Sequence, residues 1–106
     1  MAEDRLTKEY LALKEDYPVA ILLYQVGTFY RILQDDAKTV AETLGLKLMI
    51  SGEASAPVFM CGFPKSGLDK YVGKLIRAGF SAVIVNQIQD DSGAIRREVA
   101  EVVSVG

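Results

Sequence analysis

The sequence predicts a small α/β domain, with three helices on a mixed β-sheet. Three observations carry this reading. Apolar residues recur at helical spacing in three separate stretches. Short apolar or β-branched runs of strand length stand between and after them. Glycine and proline punctuate most of the junctions. The 106 residues suit a single domain. With 50% of them hydrophobic, a core is available without support from a metal or disulfides.

Leu6, Tyr10, Leu13 and Tyr17 mark the first helix, which Tyr17-Pro18 ends because the residue before proline avoids the helical region. Val19–Val26 reads as a buried strand closed by Gly27. Asp35 and Asp36 suit the N-cap and first turn of a second helix. Its apolar face is Ala37, Val40, Ala41 and Leu44, and Gly45 is its stop. Residues 46–51 form a predicted strand, 52–57 a turn-rich loop, and 58–61 a short strand closed by Gly62-Phe63-Pro64. Ser66 and Asp69 resemble a capping box ahead of the most regular helix, whose face is Leu68, Tyr71, Val72, Leu75 and Ile76 and whose stop is Gly79. Residues 81–88 form a β-branched strand, 89–93 a loop and 95–105 a final strand. The expected order is helix, strand, helix, two strands, helix, two strands, in a mixed sheet.

Composition excludes several function classes. There is no histidine, which removes the commonest general base and the commonest metal ligand. Cys61 is the one cysteine, so no internal disulfide forms; this fits a reducing, cytosolic setting. On its short apolar strand it reads as a buried small hydrophobe. No apolar run reaches the ~18–20 residues of a membrane span. Met1-Ala-Glu-Asp4 is acidic where a signal peptide needs a basic start. Residues 62–67 resemble a phosphate loop only superficially, because Leu68 stands where a lysine is required. Asp35-Asp36 and Asp90-Asp91 are explained more cheaply by helix capping and loop solvation than by metal binding. No catalytic constellation, resident cofactor or metal site is expected. The net charge of −2 means that any nucleic-acid contact must be local or supplemented from elsewhere.

The segment Gly27-Thr28-Phe29-Tyr30-Arg31 is the most informative. It places aromatics where the first strand should end. Such an aromatic either closes a core or is offered to a flat partner such as a nucleic-acid base. Tyr30 reads as packing. Arg31 reads equally as a nucleic-acid contact or as a solvated surface charge, and the Arg96-Arg97-Glu98 run reads first as a solvated strand edge.

Taken in order, Tyr10-Leu-Ala-Leu-Lys14, Ile21-Leu-Leu-Tyr24, Gly27-Thr-Phe-Tyr30, Asp35-Asp-Ala-Lys38, Met60-Cys-Gly-Phe-Pro64, Tyr71-Val-Gly-Lys-Leu75, Gly79, Asn86-Gln-Ile88 and Arg97-Glu-Val99 form a recognisable pattern. Over nearly its whole length the chain resembles the N-terminal, mismatch-recognition domain, domain I, of the MutS family of DNA mismatch repair proteins. The resemblance implies one domain over residues 1–106, belonging to a larger cytoplasmic protein. It implies a duplex DNA partner carrying a mismatch, together with further MutS-like domains or a second subunit. ATP and magnesium would belong to the family's ATPase domain, outside this chain, so the chain itself is expected to be non-enzymatic. In the family a phenylalanine wedges into the minor groove against the mispaired base, and a glutamate two residues on hydrogen-bonds that base. Phe29 matches the phenylalanine, whereas Arg31 replaces the glutamate. Phe29, Arg31 and Thr28 are therefore the expected DNA-binding residues, and the arginine is expected to weaken discrimination. The family's basic pair before Gly52 is Ile50-Ser51 here, and its closing Thr-Pro-Gly is Ser104-Val105-Gly106. These departures keep a second reading open, a protein-interaction module that retains the fold without binding DNA. The two differ in what surrounds an exposed Phe29: a cluster of cations, drawn from Lys38, Lys47, Arg96 and Arg97, or an apolar or acidic surface.

Overall fold

The computed structural model describes residues 2–105, and for residues 2–4 only the backbone. Three helices, α1 (Ala2–Asp16), α2 (Gln34–Leu44) and α3 (Leu68–Arg77), accompany six strands. The strands are β1 (Ile21–Val26), β2 (Phe29–Leu33), β3 (Met49–Glu53), β4 (Ala56–Pro64), β5 (Ala82–Gln89) and β6 (Ile95–Val103). They form one mixed sheet in the order β3-β4-β2-β1-β5-β6. Only β1 and β5 run parallel, at its centre; the other pairs are antiparallel. The α/β class, the three helices and the mixed sheet are those expected from sequence.

The sheet buries both faces, as a strand's two-residue side-chain period requires. On one face Ile21, Leu23, Tyr30, Ile32, Cys61 and Phe63 pack under Val40 and Leu44 of α2 and Leu75 of α3. Three rings run through this layer: Tyr30 and Phe63 lie 5.8 Å apart, and Phe63 and Tyr71 4.5 Å. On the other face Leu22, Tyr24, Val83 and Val85 meet Tyr10 of α1, with Leu6, Leu13 and Tyr17 at the margin.

Several local expectations are corrected. Phe29–Leu33 is a strand of its own, paired to β1 through the closing pair Val26–Phe29. The two-residue link Gly27-Thr28 is a hairpin turn, and Gly27 supplies the positive φ (64°) that such a turn needs at its first central residue. β4 continues through Gly62-Phe63-Pro64, which pair with β2 instead of closing the strand. Val19, assigned to the first strand, is 87% exposed and precedes it. Asp35 does not cap α2: the N-cap position is Leu33, without a side-chain cap. Asp36 instead meets the Lys14 ammonium at 2.8 Å and accepts a hydrogen bond from the Tyr10 hydroxyl at 3.1 Å, tying α1 to the start of α2. The capping box at Ser66 is also absent. A 3-10 turn, Lys65–Gly67, leads into α3, and its N-cap Gly67 makes no side-chain bond. Gly45 does end α2, in the left-handed conformation.

Candidate nucleic-acid interface

The β1–β2 hairpin sets the position of every sequence-predicted site residue. Alternation along β2 sends Tyr30 and Ile32 into the α2–α3 layer and leaves Phe29 and Arg31 on the α1 face. The register puts Phe29 opposite Pro64, Arg31 opposite Gly62, and Met49 opposite Met60. Since α1 packs over the centre of the sheet, this end of the face stays open: Phe29 is 44% and Met49 45% exposed. Thr28 is exposed at the turn, and its carbonyl accepts the Lys65 N–H at 2.9 Å. The structure thus puts Phe29 and Arg31 at one end of one face, with Thr28 in the turn that precedes them.

Hydrogen bonds hold the hairpin tip to β5. The Gln87 N–H donates to Gln25 Oε1 (2.8 Å), the Gln25 amide to the Gly27 carbonyl (3.0 Å), and the Gly27 N–H to Gln87 Oε1 (3.0 Å). Tyr30, next to Phe29, donates its hydroxyl to Asn86 Oδ1 at 2.7 Å. The aromatic is therefore presented from an anchored turn.

Phe29 and Arg31 line a shallow depression of about 210 Å³ with Met49, Cys61 and Gly62. Its walls are apolar except for the guanidinium. Arg31 Nη1 lies 2.8 Å from the Met60 sulfur, a weak acceptor. Among the described residues no carboxylate pairs with Arg31. Gly62 matters to the floor: a Cβ there would fall 2.6 Å from the Tyr30 carbonyl oxygen. Cys61 is buried as expected, and burial pushes its thiol up to about 11, so it contributes no thiolate near neutral pH.

The cation cluster expected around Phe29 is present only in part. Lys38 lies over the Phe59 ring, 4.0 Å from its centroid, on the α2 face, and so is directed away. Lys47 is exposed in the segment between α2 and β3. Arg96 and Arg97 share with Arg31 a larger groove next to the depression. Arg97 is held firmly: its Nε donates to the Gln25 carbonyl (2.7 Å) and its guanidinium lies 5.1 Å from the Tyr24 ring centroid. Sequence reading missed Arg5, which joins this groove, and Glu9, the carboxylate among its arginines. The i,i+4 spacing of Arg5 and Glu9 was the available signal. Burial, with the hydrogen bond donated to Glu9, pushes the Tyr24 phenol up to about 12. No described helix is long and apolar enough to cross a membrane.

The MutS domain I family model matches residues 4–106. Two proteins named DNA mismatch repair protein MutS are each 42% identical to this chain, one from Rhodopirellula baltica over 105 residues and one from Salinibacter ruber over 106. A third of that name, from Exiguobacterium sp., is 37% identical over 106 residues. Each alignment covers 95% of this chain, while the chain spans only 12–13% of the length of these relatives.

Proposed function

The chain belongs to the MutS domain I family, and from that premise we propose that it binds mismatched or distorted duplex DNA as one module of a longer mismatch repair protein. The observation that supports this best is the half-exposed Phe29 ring on the uncovered end of the sheet, with Arg31 beside it. Wedging a side chain between base pairs costs a few kcal/mol of unstacking, and a mispaired base is cheaper to displace. One aromatic–base stack returns ~1–3 kcal/mol. With the two terms so close, Phe29 succeeds at a mispair and fails at a sound one without reading sequence. Thr28 lies exposed at the turn beside it, within reach of the same partner.

Arg31 alters the second half of recognition. A glutamate accepts hydrogen bonds and repels phosphates, whereas an arginine only donates and is always charged. Arg31 therefore raises general DNA affinity and lowers the preference for a mismatch. Catalysis has no part in this function, and the remaining domains or a second subunit would supply the rest of the grip.

A second reading has one observation in its favour: apart from Arg31 the depression at Phe29 is apolar, with Met49 exposed, as a protein-docking surface would be. Fluorescence anisotropy with heteroduplex and homoduplex DNA at low salt separates the two. DNA recognition predicts tighter heteroduplex binding and a ~5- to ~150-fold loss of that affinity in Phe29→Ala. In Arg31→Glu the heteroduplex-to-homoduplex affinity ratio should rise. Equal binding of both duplexes, unaffected by Phe29→Ala, would leave the interaction module as the better account, and an unchanged ratio in Arg31→Glu would refute the role given to the arginine.

A further inference from the structure

Four of the chain's five arginines, Arg5, Arg31, Arg96 and Arg97, line a single groove of about 940 Å³ between α1, β6 and the open end of the sheet. In a chain of net charge −2 this is a marked segregation. Among the described residues Glu9 is the one carboxylate lining the groove, and it is already shared: Arg5 approaches it at 3.4 Å, Arg97 at 3.7 Å, and the Tyr24 hydroxyl donates to it at 3.0 Å. Arg96 meets Glu98 at 3.8 Å, with both side chains more than half exposed, a pairing of little strength. The groove therefore retains an excess of guanidinium donors. Arg31 lines both this groove and the depression at Phe29, so the two adjoin.

We propose that this groove is a phosphate-binding track for the DNA strand beside the nucleotide that Phe29 engages, with Arg5, Arg31 and Arg96 contacting successive phosphates and Arg97 acting as a positioning residue. The proposal rests on the DNA-binding reading above and extends it to a separate, sequence-independent contact surface. The groove is far larger than one phosphate and suits a length of sugar–phosphate backbone. Guanidiniums match phosphate oxygens in paired hydrogen bonds. Arg97 is bonded to Gln25 and stacked on Tyr24, and so braces Glu9 and the β6 edge. The arrangement also accounts for the chemistry of Arg31. With its guanidinium against Met60 on the groove side, it joins the phosphate contacts instead of reading a base edge.

The test is the salt dependence of duplex binding by the whole chain, measured by anisotropy. Removing one arginine–phosphate pairing should lower the slope of log affinity against log salt by about 0.9. The double variant Arg5→Gln/Arg96→Gln should therefore drop by about two units of slope equally on matched and mismatched duplexes, while Arg5→Lys/Arg96→Lys keeps it. Arg77→Gln, on α3 across the sheet, should leave it unchanged, and circular dichroism checks that each variant is folded. Unchanged slope in the glutamine double variant, with the Phe29-dependent heteroduplex preference intact, overturns the track and leaves the DNA-binding reading standing. Failure of the parent chain to bind either duplex at low salt overturns both.

Discussion

Replacing Gly62 with alanine tests how the open end of the sheet is held together. Gly62 pairs with Arg31 across the β2–β4 ladder, and an added Cβ would lie 2.6 Å from the Tyr30 carbonyl oxygen. Ordinary contact begins at 3.4 Å, so the two strands must part by about 0.8 Å. The obstacle is backbone, which cannot rotate aside as a side chain would. Overpacking of this kind costs ~1–3 kcal/mol, and the rigid neighbour places this case in the upper half of that range. With a urea m-value of ~2 kcal/mol/M, the midpoint should fall by about 1 M or more. Gly27→Ala provides the contrast. Its Cβ meets nothing within 4 Å, so the strain comes only from φ of 64°, at ~1–2 kcal/mol. Urea denaturation followed by far-ultraviolet circular dichroism ranks the two. A Gly62→Ala midpoint equal to or above that of Gly27→Ala would refute the close-approach argument.

Three further outcomes follow from the same geometry. Phe29→Ala should cost only ~1 kcal/mol of stability, because 44% of the residue is already exposed; a loss above ~3 kcal/mol in thermal or urea melts would mean the ring is a core element. Stability should be flat from neutral pH to pH 9 and decline above it. Burial pushes the Cys61 thiol up from 9.0 to about 11 and the Tyr24 phenol from 10.0 to about 12, so the folded chain holds these protons longer than the unfolded one and loses that advantage as pH rises through each window. Cys61→Ala should remove the decline between pH 9 and 10 and lessen it above pH 10, where the raised tyrosines Tyr10, Tyr24 and Tyr30 contribute too; a midpoint that rises over this range would contradict the sign. Lys14→Met should destabilise by ~1–3 kcal/mol, because it strands the mostly buried Asp36 carboxylate; adding Asp36→Asn should recover part of the loss in a double-mutant cycle, and simple additivity would count against the pair.

Helices are the most legible part of the sequence, because their apolar spacing coincides with what the fold buries. Ala37, Val40, Ala41 and Leu44 are all buried, and Leu75 is the inner point of the predicted α3 face. The termini are less legible. Asp35 and Ser66 have the right chemistry for caps, but Asp35 lies inside α2 and Ser66 inside the 3-10 turn that leads into α3. The hairpin escapes sequence reading for a different reason. Val19–Val26 looks like a complete buried strand, so Gly27 reads as its end, although a two-residue Gly-Thr link between apolar runs is also a hairpin signal. That reading places Phe29 beyond a strand when it begins one. The exposure of Phe29 does not follow from composition, since it depends on how far α1 reaches across the sheet. The arginine groove is equally hidden: Arg5 on α1 and Arg96 on β6 lie at opposite ends of the chain and come to one groove only through the packing of α1 on the sheet and the β5–β6 pairing.

The interlocked amides of Gln25 and Gln87 have a consequence for selectivity. The freedom of the hairpin tip is surrendered when the chain folds, so under the proposed function an arriving planar ligand would induce little further ordering. A protrusion that does not adapt leaves deformation to its target. Under those conditions selectivity tracks the compliance of the target, much as a fixed gauge sorts parts by how readily they give.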